Sequence, residues 1–156
     1  MRVIFTCGGT GGHIYPAIAV AKLMRERHPD CEILFIGAED GMENKIVPRE
    51  GFPLETLKIS NYQRSFTPKA VWHNVTTLFH MSGSMRKAKS VIRAFAPDVI
   101  VGTGGYASFP ALKMGGKLHI PTAVHESNAV PGLTTRMVEK HVTRIMVSFP
   151  ESRQQY

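Results

Sequence analysis

Three short segments hold residues whose types and spacing suit chemistry on an anionic ligand. They are Gly8-Gly9-Thr10-Gly11-Gly12-His13, Gly102-Thr103-Gly104-Gly105-Tyr106-Ala107-Ser108 and His125-Glu126-Ser127-Asn128. Glycine lets a backbone take positive φ and approach a ligand closely. A helix that begins just past such a loop offers free N–H groups and a partial positive charge. Two glycine loops on one edge of a sheet would suit a diphosphate. His13 stands at the mouth of the first loop, where an imidazole can take a proton. The other histidines outside these segments (His28, His73, His80, His119, His141) have no motif around them and read as structural. The plain reading of His125–Asn128 is a capping loop, with Ser127 or Asn128 satisfying helix N–H groups, and that role is compatible with binding.

Familiar nucleotide signatures fail on inspection. G-x-G-x-x-G begun at Gly9 needs glycine where Ile14 stands, and no Gly-Lys-Ser/Thr occurs, since Gly116-Lys117 is followed by Leu118. There is no D-x-D pair to hold a metal–nucleotide complex, and no metal site or cofactor is expected. Cys7 and Cys31 form no C-x-x-C pair, which suits a reducing compartment.

These loops need elements to position them. Val3-Ile4-Phe5 reads as a buried strand, with Pro16 in the first turn of a helix running to about Arg27. Ile33–Ile36 is a second strand, Met42–Glu50 a short helix, and Leu54–Ile59 a third strand. A long helical stretch from about Lys69 to Phe95 carries a break or kink at Ser82-Gly83-Ser84. Val99–Val101, a helix over Ala107–Lys117, Thr122–Val124, a helix over Leu133–His141 and Ile145–Val147 complete the pattern. Apolar runs alternating with helices mean a parallel sheet covered on both faces. The expectation is a doubly wound α/β domain, Rossmann-like, over residues 1–156. In such sheets ligands bind outside the carboxyl ends of the strands, where all three segments fall.

At 156 residues and 43% hydrophobic composition, the chain is the size of one globular domain. No apolar run is long enough to span a membrane, and Met1–Cys7 does not read as a secretory signal. The net charge of +7 is concentrated. Between Thr56 and His125 nine Lys and Arg residues face the single acid Asp98. An anionic partner or a merely solvated basic face would each produce this. Nucleic acid ranks last, because no binding module or interleaved aromatics accompany the charge. Within the long helical stretch, Val71, Trp72, Val75, Leu78, Phe79 and Met81 precede Arg86, Lys87, Lys89 and Arg93. A stripe of this kind is usually core; beside basic residues it also suits an anionic lipid surface.

Taken in order, the two glycine loops and His125–Asn128 resemble the N-terminal half of the MurG family, the bacterial N-acetylglucosaminyltransferases that convert lipid I to lipid II in peptidoglycan synthesis. Met42-Glu43, Val47-Pro48, Pro97-Asp98-Val99, Gly132-Leu133-Thr134 and Phe149-Pro150 match as well. The resemblance covers nearly the whole chain. It implies one half of a metal-independent, inverting GT-B glycosyltransferase, with the acceptor on the N-terminal domain and UDP-GlcNAc on a C-terminal domain that this chain does not include. It further implies that Gly8, Gly9, Thr10, Gly11 and Gly12, with Gly102, Thr103, Gly104 and Gly105, contact the acceptor diphosphate, and that His13 is the general base. Tyr106 and Ser108 would touch the acceptor, and Glu126 and Asn128 would line the cleft. Trp72, Val75, Phe79, Arg86, Lys87 and Lys89 would meet the cytoplasmic face of the cell membrane. Phe109 and Ser127 depart from the family pattern, where a small residue and glutamine are common. The alternative expectation is a non-catalytic, membrane-associated subunit that recruits a separate catalytic chain.

Overall fold

Continuous apolar runs make central strands rather than surface ones, and here they pair into one six-stranded parallel sheet. The computed structural model describes residues 1–59 and 68–156, and side chains at 1–59 and 81–156. In chain order the elements are β1 (Arg2–Thr6), α1 (Gly11–Arg27), β2 (Glu32–Ala38), α2 (Glu43–Arg49), β3 (Leu54–Leu57), α3 (Pro68–Phe95), β4 (Val99–Gly102), α4 (Ser108–Lys117), β5 (Thr122–Glu126), α5 (Leu133–Val138) and β6 (Arg144–Val147), followed by a 3-10 turn over Pro150–Gln155. The strand order is β3-β2-β1-β4-β5-β6. Val3 and Phe5 pair with Ile33 and Phe35 on one side of β1, and with Val99 and Val101 on the other.

Alternation along the strands divides the core into two layers. Val3, Phe5, Cys7, Ile33 and Phe35 pack with Ile14, Ala17, Ile18 and Ala21 of α1 and Val47 of α2. Ile4, Leu34, Ile36 and Ile100 pack on the other face with Ala88 and Ile92 of α3 and Ala111 and Leu112 of α4. Phe5 stacks on Phe35 at 5.4 Å between ring centroids, which ties β1 to β2. Phe109, the departure from the family pattern, is buried in the second layer with the Lys113 ammonium 5.2 Å over its ring.

Four expectations need correction. Helix α1 begins at Gly11, so Pro16 lies in its second turn rather than its first. There it leaves the Gly12 carbonyl without an intrahelical donor. α3 is one element without a break at Ser82-Gly83-Ser84. The Ser84 hydroxyl instead donates to the Lys58 carbonyl at 2.7 Å, pinning the helix to the chain beyond β3. β5 runs on to Glu126, so His125 and Glu126 are strand residues and not loop. α5 stops at Val138, short of His141.

Candidate functional site

The sheet order reverses between β1 and β4, because β1 leads outward through β2 and β4 outward through β5. The loops leaving those two strands therefore meet at the carboxyl edge, where α/β sheets place their ligands. They are the two glycine loops.

The contact between them is close enough to require glycine. Gly105 has φ +81, and a Cβ there would overlap the Gly8 carbonyl oxygen. Gly104, at φ +99, would put a Cβ 2.8 Å from His13 Nδ1. His13 is clamped twice by Thr103, whose hydroxyl donates to the His13 carbonyl at 2.5 Å while Thr103 O lies 3.1 Å from His13 Nδ1. A carbonyl oxygen can only accept, so in the neutral ring Nδ1 carries the proton and Nε2 keeps the free lone pair. That is the tautomer of a base acting through Nε2.

At the start of α1, Thr10 is in extended conformation (φ −141, ψ 157) and its side chain does not cap the helix. Its carbonyl accepts from His13 N and Ile14 N at 3.1 and 3.2 Å. The N–H groups of Thr10, Gly11 and Gly12 make no hydrogen bond to the described residues, and Thr10 and Gly12 are exposed. Those donors suit an anion. Tyr106 lies over this loop, its Cε1 3.0 Å from where a Gly9 Cβ would stand. Burial, then the charges of Glu43 and Asp40, raise the Tyr106 phenol above its usual 10, so it remains a hydrogen-bond donor at neutral pH.

Two expected contact residues are buried. Ser108 is fully buried, its hydroxyl donating to the Gly105 carbonyl at 2.8 Å in the first turn of α4. Glu126 is 3% exposed, and its carboxylate is taken up by four donors. Asn128 N and Nδ2 reach Oε1 at 3.0 and 2.7 Å, while Gly132 N and Thr135 Oγ1 reach Oε2 at 2.8 and 2.7 Å. Both side chains brace the loops they sit in. Asn128 itself is exposed at the edge. His125 Nε2 lies 2.9 Å from Ser148 Oγ, linking the ends of β5 and β6.

Glu43 was visible in the sequence only as part of a family match. It is fully buried beneath the first glycine loop, with Oε1 accepting from Ala38 N at 2.8 Å and Oε2 from Gly9 N at 3.4 Å. The available signal was the glycine spacing Gly37…Gly41-x-Glu43, which clears room for a side chain. Burial, helped by the Glu43 charge, pushes the Cys7 thiol up to about 12, so Cys7 is an inert core residue.

The basic helix splits in two. Arg86 and Lys87 are exposed and Lys89 half-buried. Met81 is half-buried and packs against the core. The side chains of Val71, Trp72, Val75, Leu78 and Phe79 lie outside the described residues. Among the described residues no helix is long and apolar enough to cross a membrane.

Comparison with known proteins agrees with this geometry. Residues 3–147 match the glycosyltransferase family 28 N-terminal domain. The chain is 44% identical over 156 residues to the UDP-N-acetylglucosamine--N-acetylmuramyl-(pentapeptide) pyrophosphoryl-undecaprenol N-acetylglucosamine transferase of Alkaliphilus oremlandii (strain OhILAs), covering 100% of this chain and 42% of that one. It is 40% identical to the enzyme of the same name from Bacillus subtilis (strain 168), with the same coverage. The crystal structure of Acinetobacter baumannii MurG superposes with a TM-score of 0.80 at 25% identity, over 97% of this chain and 42% of that one. A UDP-GlcNAc 2-epimerase from Methanocaldococcus jannaschii, at a TM-score of 0.61 and 14% identity, shares the fold alone. The chain spans about two fifths of the length of these relatives. With the family model covering nearly every element and the switch-point loops in place, the chain belongs to glycosyltransferase family 28.

Proposed function

We propose that this chain is the acceptor-binding half of an inverting glycosyltransferase that moves GlcNAc from UDP-GlcNAc to the 4-hydroxyl of the muramyl sugar of undecaprenyl-pyrophosphoryl lipid I, giving lipid II. The relatives' name specifies a pyrophosphoryl-undecaprenol acceptor. The observation that carries the reading is His13 at the junction of two glycine loops, its Nδ1 on the Thr103 carbonyl and Nε2 left as the basic nitrogen. In this reading the open N–H groups of Thr10, Gly11 and Gly12, with the second loop, hold the acceptor diphosphate. His13 Nε2 takes the proton as the 4-hydroxyl oxygen bonds to the anomeric carbon of GlcNAc. The bond from that carbon to UDP breaks on the opposite face, which inverts the configuration. Tyr106 donates to the acceptor from above the first loop, and Asn128 lines the cleft.

In this reading the donor site lies in the part of the relatives' length that this chain does not match, and the 156 residues bind acceptor without turning over. Calorimetric titration of the chain tests this. A soluble lipid I analogue with a short prenyl diphosphate binds and UDP-GlcNAc at micromolar concentration does not. Tight UDP-GlcNAc binding with none to the analogue overturns the assignment.

A further inference from the structure

Glu43 is a fully buried carboxylate, and neither of the ion pairs among the described side chains, Arg2–Glu32 and Lys22–Glu50, involves it. A buried charge is costly unless hydrogen bonds replace its water. Here the replacement comes from two backbone N–H groups in different loops, Ala38 at the end of β2 and Gly9 after β1. The slot that admits the side chain is made of absent side chains. A Cβ on Gly8 or Gly41 would overlap the carboxylate, and one on Gly37 would overlap its Cγ. At Gly37 and Gly41 all three nearest atoms to that Cβ belong to Glu43, and neither residue has a positive φ that would call for glycine by itself. These two glycines therefore make room for one carboxylate.

Its location gives the arrangement a use. Gly9 is held at φ +91, the left-handed conformation that turns the chain into α1. The N–H that Glu43 accepts points down into the slot, and the next three N–H groups, at Thr10, Gly11 and Gly12, are the open ones. A negative charge directly beneath Gly8 and Gly9 also repels an anion from that part of the loop.

We propose that Glu43 is the positioning residue of the first glycine loop: by drawing the Gly9 N–H inward it sets the turn that presents the Thr10–Gly12 N–H groups to the acceptor diphosphate, and it excludes the Gly8–Gly9 backbone from the anion site. The proposal rests on the diphosphate reading given above, and it supplies a reason why three residues of the first loop, rather than the five expected from the sequence, face the anion. Glu43→Gln preserves the volume but turns an amide N–H toward one of the two backbone donors.

The test uses the isotope-labelled chain, with inorganic pyrophosphate as probe and backbone amide resonances as readout. In the unaltered chain pyrophosphate shifts the amides of Thr10, Gly11 and Gly12 and leaves Gly9 in place. Glu43→Gln keeps the dispersed spectrum of a folded protein, speeds hydrogen exchange at Gly9 and Ala38, and weakens pyrophosphate binding about tenfold, the loss of one charge-assisted hydrogen bond. Gly41→Ala, which displaces the carboxylate without removing it, weakens binding likewise and adds no further loss in a Glu43→Ala background. If Glu43→Gln does not fold, Gly41→Ala carries the comparison. A folded Glu43→Gln with unchanged Gly9 exchange and unchanged binding overturns the proposal. So does an unaltered chain in which Gly9 shifts most. If the unaltered chain ignores pyrophosphate while Glu43→Gln still frees the Gly9 amide, the diphosphate reading fails and the hold of Glu43 on the loop stands.

Discussion

Two buried or half-buried side chains separate what chemistry demands from what the loops demand. His13 has one nitrogen committed to the Thr103 carbonyl, and such a ring can act only through the other. Under the proposed function, in a chain spanning its relatives' full length, His13→Ala should lower kcat by about 10²–10⁴-fold, the usual contribution of a general base, with donor KM nearly unchanged. A change confined to KM would make it a binding residue. Glu126 is organised differently. Burial raises its carboxyl, but hydrogen bonds from Thr135, Gly132 and Asn128 together outweigh that and leave it below its usual 4.5. A carboxyl lowered by folding adds stability that is fully present above the unfolded value and is lost as pH falls through the folded one. Glu126→Gln should therefore cost on the order of 1.5–3 kcal/mol at neutral pH. The gap between the two proteins in urea denaturation should close on acidification from about pH 4.5 downward. A gap independent of pH would mean that packing and not charge holds this loop. The sequence made His13 legible because glycines and a helix start frame it. It did not reveal the hydrogen bonds that hold Glu126 and Ser108 in their loops, since those partners are set by the folded backbone.

The elements were readable wherever one local signal dominated. Apolar runs located all six strands, and glycine followed by helical spacing located the loops at the switch point. The misreadings arose where tertiary contacts overrode local propensity. Ser82-Gly83-Ser84 looks like a helix breaker, yet α3 runs through it because Ser84 is anchored to the Lys58 carbonyl and Ala88 and Ile92 are packed into the core. β5 extends through His125 and Glu126 because β6 pairs alongside them, with His125 opposite Met146 and Glu126 opposite Val147. A continuous α3 has a direct consequence. Gly83 is exposed and a Cβ there would meet nothing within 4 Å, so glycine contributes only its entropic cost. Gly83→Ala should stabilise the chain by about 1 kcal/mol, a rise of roughly 2–4 °C in Tm for a domain of this size. A lowered Tm would show that the helix needs glycine there, as a kink does. Gly105→Ala should do the reverse, because its left-handed backbone and the Gly8 carbonyl leave no space.

For the molecule as a whole, the uneven charge and the course of α3 bear on one surface. Arg86, Lys87 and Arg93 are exposed along α3, and Lys58 and Lys117, in the same basic stretch of the sequence, are exposed too. The inward stripe of the helix is Met85, Ala88 and Ile92, with Met81 above it. Seven residues make nearly two helical turns, with a drift of about 20°. Positions 72, 79, 86 and 93 therefore lie roughly in line along the α3 backbone. Under the proposed function the acceptor rides on a lipid carrier, undecaprenol in the relatives' name, and such an acceptor calls for contact with a bilayer. Electrostatic attraction of about 1 kcal/mol per near-surface Lys or Arg would then add to apolar insertion. The chain should co-sediment with anionic vesicles and less so with neutral ones. Binding should fall as salt screens the charge term, down to a residual that Trp72→Ala reduces. Replacing Arg86 and Lys87 with glutamine should flatten the salt dependence while sparing that residual. Equal binding to neutral and anionic vesicles would remove the electrostatic half of this reading. If Trp72→Ala unfolds the domain, the tryptophan is core, and the apolar half goes with it.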